Sequence, residues 1–588
     1  MFFIAKYMKK SLFLMGALAL LMTSLQSWGQ GTAGDSPFAV DARDAQVTAV
    51  GGVFVDVLQW AVEDSVTHQV DTVYTTRDYI LWQKDGDIEQ QAERLRAGAP
   101  QPGSRRKVGT NERTASLMAG WIAEYQYNVF KFNYPSVDAE GKTVMLSAIA
   151  ACPTKKGTSE VRDVIIGTHI TICSNKESPS LTTEGFTSSD WGMLFSFAGG
   201  PKLKLGWKLN LIFAAATTAF PAIGSFAWGA IGIPMASVSA DPAQNYNLVI
   251  MPDYEGYGIT ADRAHPYLYQ ELTARQCVDA TLYGIELYKH DNGLDGIRHP
   301  LRSDYRTLSC GYSQGGSVAL AVHRFIEQNG LAEQMHFVGS ICGDGPYDPM
   351  STLMYYMERD LVGHKMSMPV VLPLIVKGML DTNPYMKSHK AEDYFNPEFL
   401  ETGIMNWLAG KQMTIDNIDK AWGKLAQEGK TTIFDNHGGA MMRDIMNAEC
   451  YNYFKEIYNA YQRTYTTKEG IPLPEHRGAI EDLHFALASN DITRGWTPQH
   501  AVFLFHSTDD TVVPYVNFEK ASNSLGQWVV PRTISIGRDH MDSGEVFFRG
   551  IDNDDIKGHL SLHIYMGKKQ LCELPYNGQT ISDVPTSW

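Results

Sequence analysis

Five residues constrain this chain more than any other feature: Gly311-Tyr312-Ser313-Gln314-Gly315. They stand between an apolar run, Tyr305–Cys310, and a helix-like run, Gly316–Phe325. A Gly-x-Ser-x-Gly in that setting marks a sharp strand-to-helix turn at the top of a parallel sheet. The turn is too tight for side chains on either side of the serine, hence the glycines. It pushes the serine hydroxyl outward, where it can attack a carbonyl while backbone N–H groups at the helix start hold the oxyanion.

The surrounding strand signals agree with such a sheet. Trp121–Tyr134 is aromatic and β-branched, Asp138–Lys142 reads as a turn, and Thr143–Ala151 follows as a second strand, which together predict a hairpin. Short apolar strands are then predicted at Asp163–His169, Tyr246–Pro252, Arg306–Gly311, His336–Cys342, Ala501–Phe505 and Trp528–Ile536. Helical patterns lie between several of them, including Gln270–Lys289 and Ser317–Gln328. A hairpin followed by alternating strands and helices predicts an α/β fold with a mostly parallel, doubly wound sheet.

Two insertions interrupt that alternation. The first covers 176–244, and within it Leu209–Ala240 has no charged residue. That length could cross a bilayer, but it holds Pro221 and Pro234 and lies between two strands of one sheet. A buried helical hairpin is the primary reading and an apolar flap over a cleft the second; no stable membrane span is expected. The second insertion, 347–496, is too long to be an unstructured loop. It reads as a helical cap over Met350–Leu361, Ile415–Glu428, Met441–Tyr465 and Gly478–Ala488, and it carries twelve of the 24 methionines. Methionine fills irregular apolar interiors and also lines adaptable binding sites. The expected division is therefore 1–29, a secretory signal; 30–117, an N-terminal elaboration with one amphipathic stretch at Val53–Val66; 118–346 and 497–588, the two parts of the core; and 347–496, the cap. The signal rests on Lys6, Lys9 and Lys10 ahead of an apolar Ser11–Leu21, with small residues at Ser27 and Gly29. It predicts export, to the periplasm or the medium.

Composition excludes some partners. A net charge of −15, with no basic stripe, argues against nucleic acid. The seven cysteines are dispersed without a CxxC, so at most one or two disulfides and no cysteine-bound metal are expected.

A serine nucleophile needs a base in reach, and the base needs an orienting acid. On this kind of sheet the chain order is serine, acid, histidine. Phe503–Pro514 is a strand running into a polar loop, and Asp510 follows the strand's end, where sites form in open α/β sheets. Asp509 is its neighbour and competitor. His540 follows the next strand and is the expected base; His506, at a strand terminus before the acid, reads as structural. The oxyanion donors are expected to be the N–H of Gln314 and an N–H of the loop Thr168–Thr171, with Ile170 preferred. No cofactor or metal is required.

Met251–Gly258, Gly311–Gly316, His506–Pro514 and Asp539-His540 resemble the secretory lipase family of α/β-hydrolases, the fungal lipase A type, or a related cap-bearing serine esterase. The resemblance spans roughly 118–560. It implies an α/β-hydrolase fold with a helical lid before the acid-bearing strand, Ser313 as nucleophile, Asp510 as acid, His540 as base, and a small-molecule or lipid ester as substrate. The uncharged 209–240 segment is longer than such a family has, and 36–110 has no counterpart in it; both bear on the substrate rather than the chemistry. Pro252–Gly258 reads as a tight turn supporting the rim of the site. Two other functions fit the sequence less well: an exported serine peptidase on the same fold, and an inactive binding protein on a hydrolase scaffold.

Overall fold

The computed structural model describes residues 38–64, 70–83, 90–91, 105–108, 124–153, 160–181, 247–290, 299–462, 470–475, 478–534, 540, 543, 544 and 547. The signal segment, the uncharged 209–240 stretch and residues beyond 547 lie outside them.

Eleven strands form one sheet. In chain order they are β1 (Gln46–Asp64), β2 (Val70–Trp82), β3 (Arg105–Val108), β4 (Glu124–Val137), β5 (Thr143–Pro153), β6 (Val161–Thr168), β7 (Asn247–Pro252), β8 (Leu301–Tyr312), β9 (Phe337–Gly343), β10 (Ala501–Ser507) and β11 (Val529–Ile534). Their spatial order is β11-β10-β9-β8-β6-β7-β5-β4-β1-β2, with β3 pairing β1. From β7 to β11 through β6 and β8 the pairings are parallel. From β7 outward through β5, β4, β1 and β2 they are antiparallel. An antiparallel hairpin leading into a parallel sheet, with a Gly-x-Ser-x-Gly turn between a central strand and a helix, is the α/β-hydrolase fold.

The hairpin predicted at 138–142 forms between β4 and β5. Gly141 takes φ +75°, and Lys142 O accepts from the Asp138 N–H at 2.9 Å. The sequence left 36–110 without a readable role. Its long strands β1 and β2 pair with one another, and β1 joins β4, so this segment extends the sheet on its antiparallel side.

Every residue of β9 and β10 is buried. Strands covered on both faces become continuous apolar runs rather than alternating ones, which is how they read in the sequence. Helices α1 (Gln270–Lys289) and α2 (Gln314–Gln328) pack on one face, where Cys277, Val278, Val318 and Val322 meet Ile166, Phe337 and Cys342.

Between β9 and β10 the chain is helical, with α3 (Pro349–Leu361), α4 (Val371–Thr382), α5 (Ile415–Gln427), α6 (Ala448–Tyr461) and α7 (Ala479–Ser489). Eight of the insertion's methionines, among them Met354, Met357, Met379 and Met442, are buried in one apolar cluster with Trp422 and Phe454. These methionines pack the interior of the helical layer. Both ends of the insertion converge on α8 (Val516–Leu525) of the core. Asp348, which caps α3, and Asp491, which follows α7, both pair with the buried Lys520 ammonium. No helix among the described residues is long and apolar enough to cross a membrane.

Candidate active site

Ser313 sits between the end of β8 and the start of α2, with φ +58° and ψ −127°. A non-glycine residue held there is strained by about 1–3 kcal/mol and persists only where its surroundings enforce it. Two close approaches enforce it here. A Cβ on Gly315 would lie 2.0 Å from Thr168 O, and one on Gly316 would lie 2.2 Å from Gly343 O. The Ser313 N–H donates to Gly343 O at 2.9 Å. The turn is thereby locked between the ends of β6 and β9, and the glycines are required by steric contact.

The structure brings three of the sequence-predicted residues into one line. His540 Nε2 is 2.9 Å from Ser313 Oγ, and His540 Nδ1 is 2.5 Å from Asp510 Oδ2. All three residues are buried, Ser313 being the most exposed at 8%. Asp510 rather than Asp509 makes the contact, and its other oxygen accepts the N–H groups of Val512 and Val513 at 2.8 and 2.9 Å. Burial pushes the Asp510 carboxyl up, but His540, His506 and the Val512 N–H together outweigh it and leave the carboxyl below its ordinary value. An ionised carboxylate only accepts, so Nδ1 carries the imidazole proton and Nε2 is free to accept from the serine. A hydroxyl, an imidazole and a carboxylate in this arrangement can transfer the serine proton as the hydroxyl attacks, and can stabilise the imidazolium that results.

Gln314 and the loop Thr168–Thr171, where the oxyanion donors are expected, adjoin the same turn. Gln314 is the first residue of α2, so its N–H has no intrahelical partner. The loop carrying Ile170 is pinned beside it: Thr168 Oγ1 lies 2.7 Å from Gly315 O and 2.9 Å from Cys310 O. His169 is buried, with Nδ1 2.7 Å from Ile170 O and Nε2 3.1 Å from Asp253 O; burial lowers its pKa to about 4. Tyr254 stacks on the His169 ring at 3.9 Å. Tyr254 belongs to the turn after β7, where it takes φ +64° and Gly256 takes φ +91°. That turn buttresses the loop that carries Ile170.

Several residues at the site were not singled out from sequence. Tyr312 stacks on the His540 ring, 5.0 Å between centroids, and its hydroxyl oxygen lies 2.7 Å from His540 O. His265 accepts from the Gln314 side-chain amide at 3.1 Å, and burial lowers its pKa to about 3. His265 also lines a cavity of about 150 Å³ between the turn after β7 and the helical layer, with Tyr257, Tyr267, Leu374, Leu408 and Lys411. Asp344, at the end of β9, is fully buried beside Asp510 and His540. The strand-end rule that pointed to Asp510 could have found it. His506, read from the sequence as structural, is buried, with Nε2 2.9 Å from Val513 O.

One cluster elsewhere has metal-like composition: His323, Glu327 and His500. Glu327, however, already receives both imidazoles, the Trp496 indole N–H and the backbone N–H groups of Gln499 and His500. These donors occupy the carboxylate, so the cluster reads as a hydrogen-bonded anion and not as a cation site.

No family model matches the sequence, and no curated protein matches it either. Solved structures do. The rice cell wall degrading esterase LipA from Xanthomonas oryzae is 18% identical, with a TM-score of 0.48 over 76% of this chain and 93% of that one. Candida antarctica lipase A in its closed state is 15% identical, with a TM-score of 0.40 over 78% and 80% of the two chains.

Proposed function

We propose that this protein is a serine ester hydrolase working through an acyl-enzyme. Ser313 attacks the ester carbonyl, His540 takes the serine proton and returns it to the leaving alcohol, and Asp510 holds the imidazole in the accepting tautomer. The N–H groups of Gln314 and Ile170 face the oxyanion. Water, activated by the same imidazole, then releases the acid. The observation that carries this reading is the unbroken line from Ser313 Oγ through His540 to Asp510 Oδ2, at the C-terminal edge of the parallel strands. The substrate is a small-molecule or lipid ester with an apolar acyl or aryl group, and the charged-then-apolar N-terminus supports export.

The test is hydrolysis of p-nitrophenyl acetate, butyrate, octanoate and palmitate by wild type and Ser313→Ala. The wild type should be active and the variant should lose about three decades or more. Equal rates in the two proteins would remove Ser313 from the reaction. Activity confined to the acetate would remove the apolar-group assignment.

A further inference from the structure

Asp344 is bonded to all three chain segments that carry the Ser313–His540–Asp510 line. Its Oδ2 accepts the Tyr312 hydroxyl at 2.7 Å, and Tyr312 adjoins Ser313. The same oxygen accepts the Ser543 hydroxyl at 2.6 Å, three residues beyond His540. Its Oδ1 accepts the Ser507 N–H at 3.2 Å, three residues before Asp510. The backbone of the same turn adds two further ties. Gly343 O accepts the Ser313 N–H, and the Asp344 N–H donates to Phe505 O at 2.9 Å. β9 lies between β8 and β10, so its end is the position from which loops leaving both neighbours can be joined.

We propose that Asp344 is a positioning residue of this reaction, setting the spacing of Ser313, His540 and Asp510 by tying their three loops to one carboxylate. The inference rests on the reading of Ser313 as nucleophile. Packing alone does not account for an acid here. The group is fully buried, and one of its carboxylate oxygens, one of Asp510 and a ring nitrogen of His540 all lie within 4.8 Å of one another. Placing a second carboxylate there is unfavourable unless its hydrogen bonds compensate. The residue is also held at φ +37°, a left-handed conformation that costs a non-glycine residue free energy. The imidazole is fixed at both nitrogens, and a displacement of about 1 Å in such a line costs about 100-fold in rate.

The experiment compares wild type, Asp344→Ala and Asp344→Asn by two readouts: the rate at which a fluorophosphonate labels Ser313, and kcat and KM for p-nitrophenyl butyrate. Asp344→Ala should slow labelling and kcat by about 100-fold and leave KM within about threefold. Asp344→Asn keeps an acceptor oxygen and should recover at least tenfold over alanine, which a filler role would not give. If Asp344→Ala fails to fold by its melting profile, Ser543→Ala and Tyr312→Phe take its place; each removes one tie and should lower kcat about five- to tenfold at unchanged KM. A folded Asp344→Ala that labels within threefold of wild type overturns the proposal, as do Ser543→Ala and Tyr312→Phe at wild-type rates. A wild type that labels but hydrolyses no ester removes the ester reading and leaves the positioning role to be judged on labelling rates. A wild type that does not label overturns both.

Discussion

Replacing Asp510 by asparagine should cost far more than the loss of one hydrogen bond, because the structure dictates how the asparagine would sit. Asp510 Oδ1 accepts two backbone N–H groups, from Val512 and Val513, and only an oxygen can take that place. The new amide nitrogen must therefore point at His540 Nδ1, where Oδ2 now lies 2.5 Å away. An N–H there donates to Nδ1 and forces the imidazole proton onto Nε2, which faces Ser313 Oγ. The Nε2–H then donates to Ser313 Oγ, and the serine proton has no base to accept it. Reaching the productive tautomer means breaking the new bond and leaving donors opposed, about 1–3 kcal/mol. The imidazolium formed on attack also loses a charge-assisted bond of about 1.5–3 kcal/mol. Together these are about 2.5–6 kcal/mol, or about 10²–10⁴-fold in kcat. The assay is steady-state hydrolysis of p-nitrophenyl butyrate, with the melting midpoint as control, since both Oδ1 bonds survive. Asp510→Asn that keeps more than about a tenth of wild-type kcat would refute the assignment of Asp510 and the tautomer argument with it.

Two predictions concern stability. Lys520→Met leaves Asp348 and Asp491 buried without their shared cation at the stems of the helical layer, so urea unfolding should show a loss of about 3–5 kcal/mol; removing both carboxylates as well, as Asp348→Asn/Asp491→Asn/Lys520→Met, should recover most of it, and a loss under about 1 kcal/mol in the single variant would contradict the clamp. Asp253 is fully buried, which raises its pKa to about 6 from an ordinary value of 3.8. The folded state holds this proton more tightly than the unfolded chain, so the contribution is greatest below about pH 4, falls as pH rises towards 6 and is level above. Its size is about 3 kcal/mol. Asp253→Asn should remove that part of the decline in urea midpoint between pH 4 and 7, while Asp344, raised to about 6 by its own burial, still contributes its share; parallel curves for variant and wild type would exclude Asp253 as the titrating group.

Much of the core was legible because its elements are decided locally. β6, β7, β9 and β10 are short β-branched or apolar runs bounded by turn residues, and α1 ends where the sequence pattern ends. The helical layer was less legible. Met441–Tyr465 reads as one helix, but Asn447 interrupts it. Its side chain accepts the Cys450 N–H at 2.8 Å and caps a new helix at Ala448, after a separate turn at Met442–Ile445. α4 escaped notice because Pro373 falls within it, yet the proline lies in the first turn, where no N–H partner is lost. β1 and β2 carry no clean alternation, and β1 joins the sheet by pairing with β4.

By itself the sequence determined the strand–turn–helix elbow at Ser313, the order of serine, acid and histidine along the chain, and the interruption of the sheet by a helical layer. These follow from local sterics, apolar periodicity and spacing, which neighbouring residues carry among themselves. Only the tertiary structure decided that Asp510 and not Asp509 meets His540, that the methionines of the insertion are packed inside it, and that Asp344 joins three loops. Those contacts bring together residues 30 to 227 positions apart. They depend on the register of β8, β9 and β10, set by backbone pairing across the whole sheet.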